Sequence, residues 1–151
     1  MQCPRCRAPM IIVERNQIEL DHCLECRGVW FDGEELTLLF ATLDAEAMSG
    51  RLTEIMTPPG RKPAEQPLPC PRCGRKMDKV AVGAGAEVLL DRCRRGDGIW
   101  FDGGELHAVV ERLAASGAEG FERAAAFVEE VFPRALPPEV AEEPGAAGKE
   151  Q

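Results

Sequence analysis

Seven cysteines carry the chemistry this chain can do. Four of them, Cys3, Cys6, Cys23 and Cys26, form two C-x2-C pairs sixteen residues apart. That is the ligand number and pair spacing of a tetrahedral thiolate metal site. Four thiolates suit Zn²⁺ at Zn–S distances of about 2.3 Å, and a site filled by four protein donors leaves no position for water or substrate, so its metal is structural. Rubredoxin-like iron and a redox dithiol are the competing uses of the same residues. Cys70, Cys73 and Cys93 repeat the pattern, but Gly96 stands where the first set has Cys26. Three readings of this second set are open: a borrowed fourth ligand, three sulfurs plus water, or a decayed site whose thiols are small buried hydrophobes. Asp97, one residue past the gap, and His107, early on the following helix, are the candidate borrowed ligands.

The elements that bring these sulfurs together are duplicated. Residues 21–36 read DHCLECRGVWFDGEEL and residues 91–106 read DRCRRGDGIWFDGGEL, and each is preceded by CPRC. Between the pairs, 10–20 reads as a hairpin: β-branched Ile11, Ile12 and Val13, a polar turn at Arg15-Asn16-Gln17, and a return through Ile18 and Leu20. The hairpin's task is to carry the second pair back beside the first. In the second copy the hairpin is three residues longer, with the extra length expected at its tip, Gly83-Ala84-Gly85-Ala86. Val29-Trp30-Phe31 and its counterpart at 99–101 should be short strands whose adjacent aromatics take opposite faces, both covering the ribbon and its helix, with an outward aromatic that anchors a partner as the alternative.

Asp32-Gly33-Glu34-Glu35 and Asp102-Gly103-Gly104-Glu105 have the spacing of a helix-capping box, which accounts for these carboxylates without acid–base catalysis. Leu36, Leu39, Phe40, Leu43 and Ala47 stripe one helix up to Gly50, and Leu106, Val109, Val110 and Leu113 stripe another up to Gly117. The expected organisation is a zinc ribbon with its helix over 1–50, a proline-rich linker over 51–69 whose stretch from Pro58 to Pro69 builds no ladder, and a second, degenerate ribbon with its helix over 70–117. An amphipathic helix over 118–132 and a disordered acidic tail over 133–151 complete it. Residues 51–56 are a candidate for a further short helical turn. The fold class is a small metal-stabilised α+β protein of two tandem ribbons, since units of this size bury too little apolar surface to fold without a staple.

These residues together, CPRC, a hairpin and D-x-C-x2-C-x-G-x-W-x-D-x2-E-L, resemble the transcription factor IIB-like zinc ribbon family. The first copy matches over roughly its first 40 residues and the second from Cys70 to Leu106 except at Gly96. The resemblance implies zinc held by Cys3, Cys6, Cys23 and Cys26, and by Cys70, Cys73 and Cys93; it implies little about activity.

Charge narrows the function. The net charge is −8, which gives no general footprint for DNA or RNA. Arg72, Arg75, Lys76, Lys79, Arg92, Arg94 and Arg95 crowd the second unit's knuckles, so they form the one credible phosphate or partner patch. The opening MQCPRC shows no export signal, so a cytoplasmic, thiol-reducing setting is expected. No run is long and apolar enough for a membrane span. No phosphate loop, catalytic triad or cofactor fingerprint is present. The expected function is therefore a non-enzymatic, zinc-binding module for an unknown protein partner, with no membrane or small-molecule substrate. Binding of nucleic acid or of the transcription machinery through the basic face is the alternative, and an enzyme or metal-trafficking protein built on the incomplete site a third.

Overall fold

A computed structural model describes residues 1–42, 56–59, 62–82, 88–115 and 121–134. The expectations for Leu43, Ala47, Gly50, residues 51–55, the 83–86 hairpin tip, Gly117 and the tail beyond Arg134 fall outside them. The first copy forms β1 (Ile11–Arg15), β2 (Ile18–His22), β3 (Val29–Asp32) and α1 (Glu35–Thr42). Next comes a short strand, β4 (Met56–Thr57). The second copy forms β5 (Asp78–Val82), β6 (Val88–Arg92), β7 (Gly98–Phe101) and α2 (Glu105–Ala115), followed by α3 (Phe121–Val131). The β1–β2 turn places Asn16 and Gln17 at positive φ, the backbone that twists a two-residue hairpin correctly.

The two ribbons are not separate units. β3 pairs antiparallel with β7, Trp30 opposite Trp100 and Val29 opposite Phe101, which fuses the two hairpins into one seven-stranded sheet of order β1-β2-β3-β7-β6-β5-β4. The fusion is how both aromatics of each pair come to be covered, with none left outward as a partner anchor. Trp30, Phe31, Trp100 and Phe101 are all fully buried, because the central strands have a core on each face. On the helix face Phe31 and Phe101 meet edge to face, with ring centroids 5.4 Å apart, and join Leu20, Leu39, Leu90, Val109, Val110, Phe127 and Phe132. On the other face Trp30 and Trp100 pack with Met10, Met77 and buried cysteines. A single ribbon cannot cover both faces of its third strand; two copies sharing an edge can.

Pairing occurs near the two ends of the 51–69 segment. Met56–Thr57 pairs with Val82 and Ala81 of β5, ahead of Pro58. Further on, Pro69 bridges to Lys76 and the Leu68 N–H donates to Asp91 Oδ1 at 3.0 Å. The prolines confine pairing to the ends of the segment without abolishing it. α3 lies within the expected 118–132 helix and reaches across to the first copy, where Phe132 stacks edge-on against His22 at 5.1 Å and Glu130 pairs with Arg15. His22 is half-buried there.

Candidate metal centres

The knuckles are built by backbone turns that point at sulfur. In the first, Cys3 N–H donates to Ala8 O at 2.8 Å and Arg7, at φ 66°, returns its N–H to Cys3 O. The second copy repeats this with Cys70 N–H to Arg75 O at 2.8 Å and Gly74 at φ 71°. The hairpins then bring the second pair home, with Cys23 and Cys93 N–H donating to Gly28 and Gly98 O, each at 2.9 Å.

In the first centre Cys3 Sγ lies 3.5 Å from Cys26 Sγ and Cys6 Sγ 3.4 Å from Cys23 Sγ. All four sulfurs fall within 4.8 Å of one another. A tetrahedron with metal–sulfur bonds of about 2.3 Å has sulfur–sulfur edges of about 3.8 Å, so the cage fits Zn²⁺. The separations are far too long for disulfides, and every cysteine is a free thiol. Burial pushes the Cys3 and Cys26 thiols upward in pKa, whereas the Ala8 backbone N–H holds exposed Cys6 below its ordinary value. Buried thiols of this kind ionise when a cation shares the cage, so zinc capture releases protons and affinity rises with pH.

The second centre is completed by Asp97. Cys70, Cys73, Cys93 and Asp97 offer four donor atoms within 4.8 Å. Asp97 Oδ2 lies 3.2 Å from Cys93 Sγ and 3.8 Å from Cys70 Sγ, and Cys73 Sγ is 3.7 Å from Cys93 Sγ. The Cys73 and Cys93 thiols lower the Asp97 carboxyl in pKa, while burial pushes Cys70 up to about 12. His107, the other candidate, is not part of this cluster. It is buried in the first turn of α2, with Nε2 3.6 Å from Glu129 Oε2.

Gly96 does more than omit a ligand. In the first copy the residue at positive φ is Arg27 (62°), just after Cys26; in the second it is Gly96 (81°), one position earlier. The turn closes sooner, with Gly96 N–H to Cys93 O at 3.1 Å, so the following side chain swings into the fourth corner. Three thiolates and a carboxylate remain a zinc donor set, though a harder one than four thiolates. We expect Asp97→Ala to lower zinc at equilibrium with a weak chromophoric chelator from two equivalents per chain toward one, with affinity at this site falling by about 10–100-fold. We also expect Gly96→Cys to be a poor repair, because a side chain at that φ is strained. Asp97→Cys should bind zinc more tightly than either. Two equivalents retained by Asp97→Ala would show that this oxygen is not a ligand.

Around the centres, the motif residues bind across the two copies. The Trp30 and Trp100 indole N–H groups donate to Asp32 and Asp102 Oδ1 at 2.7 and 2.8 Å. Arg72 of the second CPRC pairs with Asp32 at 3.0 Å, and Arg5 of the first CPRC pairs with Asp102. Each copy's knuckle arginine thus holds the other copy's tryptophan acceptor. Nothing in the spacing marks Arg5 for this, and Arg72 is one of the residues expected in the phosphate patch. Arg94 of that patch pairs with Asp78 at 2.6 Å, and Lys79 is buried against Asp91 at 2.9 Å. Arg75, Lys76, Arg92 and Arg95 have no ion pair among the described residues.

Glu35 and Glu105 each accept the backbone N–H of the aspartate three residues back at 2.7 Å, as half of the expected capping box. Burial raises both carboxyls in pKa, Glu105 to about 7 from an ordinary 4.5. The folded protein therefore binds more protons than the unfolded chain between pH 4.5 and about 7, so this group's contribution to stability falls as pH rises through that window and is level above it. Glu105→Gln keeps the acceptor and removes the titration. Relative to wild type, it should gain on the order of 1–2 kcal/mol in denaturant stability from pH 5 to pH 8; parallel profiles would show that Glu105 does not titrate there.

Among the described residues no helix is long and apolar enough to cross a membrane. No curated protein and no solved structure matches the chain. One family model does, that of the transcription factor zinc-finger, over residues 2–42 and 69–112, more than half of the sequence. Each match contains one complete donor set. With both segments matched and all seven cysteines inside them, the chain belongs to the transcription factor zinc-finger family of TFIIB-type zinc ribbons and carries the ribbon twice.

Proposed function

We propose that the protein is a zinc-stabilised, non-enzymatic interaction module of the cytoplasm, in which two fused ribbons form one rigid platform for a protein partner. The observation that carries this reading is the closure of both centres. Each has four protein donors gathered within 4.8 Å, so zinc held there has its coordination filled and serves as a staple. The repeated Trp, Asp, Gly and knuckle arginine are engaged in joining the two ribbons, which leaves the outer strands and helices as the display surface.

A second reading, binding of nucleic acid, is favoured by Arg75, Lys76, Arg92 and Arg95 alone. Three of the seven basic residues expected there are already paired with carboxylates, and the whole chain is acidic. Electrophoretic shift of labelled duplex DNA and single-stranded RNA by the zinc-loaded chain decides between them. We expect no shift even at low salt. A shift that weakens steeply with salt and disappears when Arg75, Lys76, Arg92 and Arg95 are changed to Ala would replace the protein-partner reading with the nucleic-acid one.

A further inference from the structure

The duplication makes each half of the molecule a control for the other. β5 corresponds to β1: Asp78 and Lys79 pair with Arg92 and Asp91, as Ile11 and Ile12 pair with His22 and Asp21. The outer edge of β5 is paired with β4 at its far end, at Ala81 and Val82. The outer edge of β1 carries no strand among the described residues, and β1 ends the sheet.

The side chains show the same difference. Asp91 is buried and held by Lys79 Nζ at 2.9 Å and by the Leu68 N–H at 3.0 Å, and Glu65 joins Lys79 at 3.3 Å. Its counterpart Asp21 lies across the ladder from Ile12 instead of a lysine. The Asp21 carboxylate has no hydrogen bond or ion pair among the described residues. Ile12 is 65 % exposed, Ile11 43 % and Leu24 56 %. On the helix face a groove of about 610 Å³ opens beside the strand, walled by Ile11, Val13, Val29, Val131 and Phe132. An edge strand with bare backbone groups and uncovered apolar side chains is a template for another strand.

We propose that β1 accepts an extended segment of a partner protein as an added antiparallel strand, with an apolar side chain entering the groove and a lysine or arginine reaching Asp21. The proposal rests on the interaction-module reading and assigns it a surface. β4 on β5 shows that this fold takes a further strand on the equivalent edge. The lysine that Asp91 has and Asp21 lacks specifies the charge. Alternation along a strand then asks for basic residues on the Ile12 and Asp21 face and apolar residues on the Ile11 and Val13 face.

The test uses the zinc-loaded full chain, amide NMR and a capped heptapeptide, Thr-Val-Lys-Val-Lys-Val-Thr, with a second peptide carrying Glu for both Lys. The lysine peptide should shift the β1 amides and slow their hydrogen exchange, and the glutamate peptide should bind at least about ten-fold more weakly. Ile12→Lys places a lysine where Lys79 stands in the other copy; it should keep zinc content and fold, yet bind the lysine peptide about ten-fold more weakly than wild type. No β1 perturbation at millimolar peptide, or equal binding of the two peptides, overturns the proposal. Self-association by sedimentation that Ile12→Lys abolishes would overturn it as well, by giving the edge to a second copy of the chain. Photo-crosslinkers at Ile12 and at Leu38 separate the two levels. Capture of a partner at Leu38 alone rejects the β1 site and keeps the module, whereas salt-sensitive nucleic-acid binding rejects the module itself.

Discussion

Chelation of zinc abolishes the cooperative tertiary structure of this protein: that is the expected result of dialysis against excess chelator under reducing conditions, followed by near-ultraviolet dichroism, tryptophan fluorescence and a thermal melt. Zinc binding to a four-ligand site in a small domain is worth roughly 10–16 kcal/mol at neutral pH, and whole domains are stable by about 5–15 kcal/mol. Loss of the four-thiolate centre therefore removes as much free energy as the fold holds in reserve, and loss of the second centre, with its carboxylate donor, removes less. The geometry says where the damage begins. Cys3, Cys23, Cys70 and Cys93 are themselves the buried floor on which Trp30 and Trp100 rest. Without metal the eight donors lose what fixes them, and the tryptophan face loosens ahead of the helix face. Release should come in two steps, since a site with one carboxylate among its donors yields to a weaker chelator than four thiolates do. Cys23→Ala should reproduce the full loss and Cys93→Ala a smaller one. A chelated protein that keeps its near-ultraviolet spectrum and its melt would sink the claim that metal holds this fold.

How far the sequence anticipates this follows from which interactions are local. Ligand pairs, hairpins and the repeat are encoded over tens of residues, and the described helices α1, α2 and α3 fall within the ranges expected for helix. The fusion of the ribbons is not local: it joins Trp30 to Trp100 and Gly28 to the far ring, and spacing within one copy carries no information about contacts between copies. One signal is present. Val29-Trp30-Phe31 is apolar at consecutive positions, and a strand apolar on both sides is covered on both sides; a ribbon of about 40 residues has material for only one. The fourth ligand of the second centre is legible only as a choice between Asp97 and His107. What decides it is a backbone turn one residue earlier than in the first copy, at Gly96. Of the patch of seven basic residues, Arg72, Lys79 and Arg94 meet carboxylates that are distant in sequence or across a strand, which spacing alone does not reveal.

The fusion itself makes the second large prediction, and glycine is where it can be broken. A Cβ on Gly28 would lie under 3.0 Å from Cζ2, Cη2 and Cε2 of Trp100. A Cβ on Gly98 would meet Trp30 in the same way, with Cζ2 at 2.6 Å. These are ring atoms of fully buried side chains, and each ring is tied down by its indole N–H to Asp102 or Asp32. The neighbour cannot swing aside as the end of a flexible chain would, so the ring must leave its place or the strands must part. Gly28→Ala should therefore cost on the order of 3–5 kcal/mol, the scale of losing a packed tryptophan, where an overpacked but yielding site would cost about 1–3. Gly74→Ala is the control: its φ is +71° and an added Cβ there would have nothing within 4 Å, so it should lose only about 1 kcal/mol from backbone strain. The assignment to Trp100 is tested by a double-mutant cycle. Trp100→Phe removes the ring atoms that collide, so the pair Gly28→Ala with Trp100→Phe should be more stable than the sum of the single losses by about 1–3 kcal/mol. If the two losses simply add, Gly28 and Trp100 do not touch, and the ribbons are not joined through β3 and β7.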